Sequence, residues 1–324
     1  MGAPLRVSVV IPTQGRWPLL RRTLAGALRQ QGVEFEVVVV DDGSSDETAE
    51  RLAELRDRRV RPIRHDVQRH VAVARNAGIA AARGEWIAFL DDDDLWAPTK
   101  LRVQLGAAAA QKADFAWCAG LVVDAQCSIL ETWPARETDE ILGLLLRGNW
   151  MPAGASNVVA RAEVVRELGG FDETLRHFAD WDLWIRLAAG GRGAACPEAL
   201  VAYVRHPQNM ILMDPGRLAR EFHALAAKHR AAADRYGVRP DRVLPDQAGV
   251  FRWLGASQAR SGRRARAAAY YLQAGLLRSP YGRRRSLRDA ARALIGEVPT
   301  DRPASIDKRL AADAGWLAHY RGSP

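Results

Sequence analysis

The chain has 324 residues, 48% of them hydrophobic, and a formal net charge of +9. That length and apolar content suit one α/β domain with an appendage, or two small domains, and exclude disorder over most of the chain. No apolar run approaches the ~18–20 residues of a membrane span, and three cysteines, Cys118, Cys127 and Cys196, without CxxC spacing argue against a disulfide framework or a zinc site.

Met1 to Arg6 run directly into a strand-like segment with no secretory leader, which predicts a cytoplasmic protein. Leu5–Ile11 is a short β-branched run closed by Pro12 and reads as a buried strand. Arg16–Gln31 carries Leu19, Leu20, Leu24, Ala27 and Leu28 at helical spacing, with Gly32 as its cap. Glu34–Val40 is a second strand, and Ser44-Ser45-Asp46-Glu47 has the form of a capping box opening a helix. Val60–His65 predicts a third strand, Ala72–Arg83 a helix ended by Gly84, and Trp86–Leu90 a fourth strand running into Asp91-Asp92-Asp93-Asp94.

Further on, Pro98–Lys112 reads as a helix, Phe115–Val123 and Ile129–Trp133 as a pair of strands, and Glu163–Leu168 and Trp181–Ala189 as glycine-capped helices. Leu200–Val204 is a last strand, ending near His206. Residues 217–232, 249–261, 263–277 and 285–295 read as helices with no repeat of fixed period. The division expected is a catalytic domain over 1–212, with a nucleotide-binding half 1–97 and an acceptor-side half 98–212, followed by a basic α-helical region over 213–324. The charge follows a similar boundary: residues 216–324 hold 22 Lys and Arg against 9 Asp and Glu, residues 1–215 hold 25 against 29.

Alternating strands and helices predict a mostly parallel sheet covered on both faces, and ligands bind such sheets at the carboxyl ends of strands. Pro12-Thr13, Asp41-Asp42-Gly43 and Asp91–Asp94 all sit at predicted strand ends. Four adjacent carboxylates repel one another unless something neutralises them, and a hard divalent cation does so with oxygen ligands. An acid-rich helix start is the competing reading, and it is the one that fits Asp94. Asp41 and Asp42 suit a nucleoside contact or an Asx turn. Arg75 suits a phosphate or a surface ion pair. Asp180 suits a general base or a helix cap. His206 suits a ligand or a structural role.

The motifs taken together resemble the family 2 glycosyltransferases, an inverting group with the GT-A fold. They are Val9-Val10-Ile11-Pro12-Thr13, Val40-Asp41-Asp42-Gly43-Ser44-Ser45-Asp46, Ala74-Arg75-Asn76-Ala77-Gly78, Phe89-Leu90-Asp91-Asp92-Asp93-Asp94, Gly169-Gly170-Phe171-Asp172-Glu173, Asp180-Trp181-Asp182-Leu183-Trp184 and Tyr203-Val204-Arg205-His206. They stand in family order over about residues 5–210. The resemblance implies an α/β GT-A fold with a C-terminal α-helical region, and sugar transfer from a nucleoside diphosphate sugar, UDP-sugar favoured, to a saccharide, lipid-linked glycan, natural product or peptide.

It also implies roles. Pro12, Thr13, Arg16, Asp41, Asp42, Arg75, Asp91 and Asp92 would contact the donor, with Thr13 and Asp42 at the nucleobase. Asp93, Asp91 and His206 would hold Mg²⁺ or Mn²⁺. Asp180 would be the general base, and Trp181 and Asp182 would shape the acceptor side. Two departures stand out: Ala179 where the family usually has Glu before the base, and Gln14-Gly15-Arg16 where it often has an aromatic and Asn before Arg. Ala179 keeps open a rival reading as an impaired, sugar-nucleotide-binding scaffold. A nucleotidyltransferase would need a glycine-rich phosphate loop that Pro12–Arg16 lacks. The basic helices suit peripheral contact with the inner face of a membrane, a homodimer contact, or a solvated surface. Despite a pI of 10.0, no nucleic-acid-binding motif is present and no nucleic-acid partner is expected.

Overall fold

A computed structural model describes residues 6–136, 138–206, 209, 215–244, 247–260, 262–276, 283–297 and 306–321. The chain divides into two compact units. The first comprises Met1–Leu145, Asn149–Arg205 and Ile306–Pro324, and the second Leu146–Gly148 and His206–Ser305.

The first unit opens with β1 (Val7–Thr13), α1 (Trp17–Ala27), β2 (Phe35–Asp42), α2 (Thr48–Glu54), β3 (Val60–His65), α3 (Val71–Ala81) and β4 (Trp86–Phe89). It continues with β5 (Leu95–Trp96), α4 (Lys100–Gln111), β6 (Phe115–Val123), β7 (Ile129–Trp133), α5 (Ile141–Leu145), β8 (Val159–Arg161), α6 (Ala162–Glu167), α7 (Ala179–Gly190) and β9 (Gly193–Val204). Among the described residues these strands form one sheet in the order β3-β2-β1-β4-β8-β6-β9-β5, with β7 paired to β6. The β3-β2-β1-β4 half is parallel, and β8 joins it antiparallel to both β4 and β6. The β6–β9 pair is parallel again, with β5 antiparallel on its edge.

β1 and β2 are buried along their whole length, as strands covered on both faces must be. Successive residues serve different layers. Val37 and Val39 pack with Leu20, Leu24 and Leu101, whereas Val38 and Val40 pack with Ala74 of α3. α3 lies close on β1 because it presents Gly78 there. A Cβ at that position would come within 2.3 Å of Val10 Cγ1.

Four sequence expectations change. The capping box does not form: α2 starts at Thr48 without a side-chain cap, the Ser44 hydroxyl accepts from Gly15 N–H, and Asp46 accepts from the Thr48 and Trp17 N–H groups. β9 begins at Gly193, well before the expected Leu200. β5 and β8 are new, because runs of two or three residues carry no periodicity. The end of the chain does not stay with the basic helices. α12 (Lys308–Ala312) and the 3₁₀ turn Asp313–Tyr320 belong to the first unit. There Leu310, Leu317 and Tyr320 bury against Leu95, Leu121 and Val204. The Tyr320 hydroxyl donates to Trp96 C=O at 2.7 Å, and Trp316 Nε1 donates to Ala199 C=O at 3.0 Å.

The second unit contains α8 (Pro215–Ala231), α9 (Gln247–Arg260), α10 (Arg264–Leu276) and α11 (Arg283–Leu294). Ala267, Ala268, Tyr271, Ala290 and Ala293 form its core where α10 meets α11. Arg252 and Asp289 pair there at 2.8 Å, both buried. Among the described residues no helix is long and apolar enough to cross a membrane.

Candidate active site

The acidic run is a tight turn after β4, closed by Asp94 N–H donating to Asp91 C=O at 3.2 Å. Its four carboxylates have different surroundings. Asp92 is fully buried beneath the turn, where it accepts from Thr13 Oγ1 at 2.6 Å and from Arg16 through Nε and Nη2. Arg16 Nη1 also reaches Asp93 Oδ2 at 3.1 Å. Burial works against the Arg16 charge, but Asp92, Asp93 and Asp91 outweigh it and hold the guanidinium firmly protonated. Burial is also the main cause raising Asp92 above the usual carboxylate range, with Asp93 and Asp91 adding to it and Arg16 opposing.

Asp94 is buried too, and it is not at a helix start, since α4 begins only at Lys100. Ser156 Oγ donates to Asp94 Oδ2 at 2.5 Å and itself accepts from Asp91 N–H at 3.0 Å. Val204 N–H donates to Asp94 Oδ1 at 3.2 Å. Asp94 therefore ties the turn to the end of β9, and burial pushes its pKa well up. The side chains of Asp91 and Asp93 keep 31% and 10% of their surface exposed, so these two are the less buried carboxylates of the run.

Arg75 joins this turn from α3. Its guanidinium is almost wholly buried, donates to Asp91 Oδ1 at 2.5 Å and lies over the Phe171 ring at 5.1 Å. Asn76 fixes that ring by pairing with both backbone groups of Phe171, at 2.8 and 2.9 Å. Phe89 supports the ring from its edge at 5.0 Å. The Arg75 Nε has no hydrogen-bond partner among the described residues, an orphaned buried donor in an acidic site.

Asp180 lies in the first turn of α7, with Oδ1 accepting from Trp181 N–H at 2.7 Å and Oδ2 close to Gly154. Burial raises its pKa, the Arg75 charge pulls it back down, and Asp91 pushes it up again. Asp180, Arg75 and Asp91 thus share one electrostatic environment, although Asp180 is distant from the other two in sequence.

At the end of β2 the carboxylates shape the loops. Asp41 accepts from Ser44 N–H at 2.9 Å and from Arg64 Nη1 at 2.5 Å. Asp42 meets His65 Nδ1 at 2.7 Å and accepts from the N–H groups of Arg69 and His70. His70, at φ 78°, is held by that bond in the left-handed region just before α3. Gly43 is required between these loops: its φ is 71°, and a Cβ would come within 2.7 Å of Gln68 N. Pro12 sits within β1, opposite Val40, and not in a loop.

Two expectations are corrected. Asp182 is fully buried and binds Arg186 through Nε at 2.8 Å, while Arg186 also donates to Leu168 and Gly170 C=O. It locks α7 to the end of α6 instead of lining the acceptor side. Trp181 is buried as well, its Nε1 donating to Leu145 C=O at 2.7 Å. The expected metal triad is not assembled either. His206 opens the second unit, its N–H donating to Asn209 Oδ1 at 2.7 Å, and among the described residues no three His, Cys, Asp or Glu side chains converge on a metal position. Ser156, Asn76, Phe171 and Arg64 were missed. The Arg75-Asn76 and Gly170-Phe171 pairs already stood within motifs, but nothing in the sequence linked one to the other.

Residues 8–166 match the family model described as Glycosyl transferase family 2. The chain is similar to the succinoglycan biosynthesis protein ExoO of Rhizobium meliloti (strain 1021), 37% identical over 216 residues, which are 62% of this chain and 60% of that protein. It is also similar to the UDP-Glc:alpha-D-GlcNAc-diphosphoundecaprenol beta-1,3-glucosyltransferase WfgD of Escherichia coli, 33% identical over 99 residues, 31% of this chain and 39% of that one. The matched stretches thus span less than two thirds of the length of these two relatives. Among solved structures, S. aureus TarS 1-349 in complex with UDP-GlcNAc superposes with a TM-score of 0.59 at 16% identity, covering 90% of this chain and 91% of that one. That likeness is one of fold.

Proposed function

We infer the activity from the family: residues 8–166 are a glycosyl transferase family 2 domain, the first unit has the GT-A fold, and the chain is a glycosyltransferase. The donor is a nucleoside diphosphate sugar, with UDP its nucleotide, a choice supported by WfgD, named for UDP-Glc, and by the UDP-GlcNAc held by TarS. The acceptor is a saccharide, and the diphosphoundecaprenol-linked sugar in the name of WfgD favours a lipid-linked glycan. Transfer proceeds with inversion in a single displacement. The observation that carries this reading is the shared environment of Arg75, Asp91 and Asp180.

The donor set fits a hard divalent cation that takes most of its shell from substrate. It is all carboxylate, Asp91 and Asp93 keep part of their surface open, and among the described residues no closed protein cage surrounds them. Mg²⁺ or Mn²⁺ held by Asp93 and Asp91 would offset charge on the diphosphate leaving group.

The chain's own residues do the rest. Arg75, buried and braced by Phe171, presents a fixed positive charge where negative charge grows on the leaving diphosphate. Arg16 and Thr13 fix Asp92 and so the pitch of the turn; when donor binds, Arg16 is placed to exchange Asp93 for a phosphate oxygen. Asp41 and Asp42 position the loops that receive the nucleoside. Asp180 takes the proton from the attacking hydroxyl. Burial raises its basicity, and the Arg75 charge opposes that rise.

The reading places the chain on the cytoplasmic side, with peripheral contact to a membrane or to a second copy through the basic helices. A donor panel read by release of nucleoside diphosphate, with and without Mn²⁺, tests the activity. Release from UDP-sugars that requires metal and Asp180 supports it. No release from any donor overturns it in favour of a binding scaffold.

A further inference from the structure

Two helices of the second unit, α10 and α11, carry aliphatic side chains on their outer faces. Helices that pack only against their own core bury their largest apolar side chains and expose small or polar ones. In α10 the core side is made of Ala267, Ala268, Ala274 and the two tyrosines Tyr270 and Tyr271, and in α11 of Ser286, Asp289, Ala290 and Ala293, with no leucine or isoleucine among them. The bulky aliphatic residues face out instead. Leu272 and Leu276 of α10 are 45% and 77% exposed, Leu287 and Leu294 of α11 are 46% and 55%, and Ile295 just beyond is 71%. They follow helical stripes, Ala269-Leu272-Leu276 and Leu287-Ala291-Leu294, on the side away from the core.

The charge beside these stripes is of one sign. From Arg260 to Arg292 the sequence holds ten arginines and one acidic residue, Asp289. That aspartate is buried and paired with Arg252 at 2.8 Å, so it offsets little of the surface charge. On α11 the exposed Arg284, Arg288 and Arg292 run at i, i+4 and i+8 beside the leucine stripe, and Arg266 is exposed on α10. Among the described residues, Arg292 alone of these four has a surface ion pair, with Glu297 at 2.8 Å.

An aliphatic stripe rimmed by arginine fits two occupants: a second copy of the chain or an anionic lipid surface. A second copy meeting this face would bring arginine row against arginine row, which repels. A bilayer with anionic headgroups matches both chemistries, phosphates for the guanidinium groups and hydrocarbon for the leucines. We propose that the outward faces of α10 and α11 dock on an anionic lipid bilayer. The proposal deepens the peripheral contact named above and rests on it; it stands apart from the assignment of the reaction.

The test is flotation of the full chain with phosphatidylcholine vesicles, with and without phosphatidylglycerol, at low and high salt. The expected result is binding only to the anionic vesicles, weakened by salt. The pair Arg284→Gln/Arg288→Gln should lower vesicle affinity by about 25-fold, at roughly fivefold for each arginine. The pair Leu272→Gln/Leu276→Gln alters only exposed side chains and should reduce binding comparably, with thermal unfolding unchanged. Equal binding to neutral vesicles, no binding to either, or binding indifferent to both variants overturns the proposal. So does a chain dimer, seen by sedimentation velocity, that the leucine variants dissolve. Nucleoside diphosphate release measured on the same preparations keeps the two readings apart. Release without flotation refutes only the docking, and flotation without release refutes only the transferase assignment.

Discussion

Arg75 and Asp91 are joined at 2.5 Å across the gap between α3 and the turn after β4, and the same guanidinium also acts on Asp180. One buried cation therefore links the proposed phosphate end of the site to its proposed base.

Replacing Arg75 should consequently cost more than a surface arginine would. Arg75→Ala is expected to lower kcat/KM by about 10²–10³-fold, the range for losing one preorganised charge donor. Arg75→Lys keeps the charge but loses the planar stack on Phe171, and should recover only part of the rate. A variant retaining full kcat/KM would remove Arg75 from the donor site.

Asp180→Asn is expected to abolish transfer while leaving UDP-sugar affinity intact. In the native chain the rate should rise with pH as Asp180 loses its proton. Because burial raises its pKa, that limb should lie above the usual carboxylate range. Calorimetry and a pH–rate profile check both points, and unchanged turnover in the variant would remove the base assignment.

Asp93→Ala should erase any stimulation of UDP-sugar binding by Mn²⁺, whereas Asp94→Asn should not act on the metal directly. Asp94 is buried and bound to Ser156 and Val204, so its loss should appear mainly as lowered stability, by about 1–3 kcal/mol for a broken buried network. Equal donor affinity with and without metal in the native chain would contradict the metal assignment.

Lys100 offers a test of the core. It is fully buried, donates to Gln104 Oε1 at 2.6 Å and Asn157 C=O at 2.9 Å, and lies over the Trp96 ring. Burial pushes its pKa down from 10.5 to about 8. Between those values the unfolded chain holds a proton the folded chain has released, so stability gains from rising pH in that window. Urea midpoints should therefore climb between about pH 8 and pH 10.5 relative to a Lys100→Met variant, and parallel curves would show that Lys100 does not titrate there.

Deleting residues 306–324 should destabilise the first unit, because Leu310, Leu317 and Tyr320 cover its core and Tyr320 ties Trp96. Tyr320→Phe alone should cost about 1 kcal/mol, the worth of one hydrogen bond. A truncated chain that melts at the native temperature would argue against this packing.

Much of the parallel half of the sheet was legible from the sequence, because β1, β2 and β4 are apolar runs ended by the motifs themselves. The helices α8 to α11 were legible from their periodicity to within a few residues. Local pattern also put Thr13, Asp41, Asp42 and Asp91 at strand ends, since a strand's end is a local property. What only the tertiary structure decided was partnership. Asp182 reads as an acid beside the base, yet it is spent on Arg186. Asp94 reads as a helix start, yet it clamps the turn to β9 through Ser156, and the last residues leave the basic helices to close the first unit. Hydrogen bonds and burial depend on which side chain faces which across the fold, and no spacing along the chain carries that information.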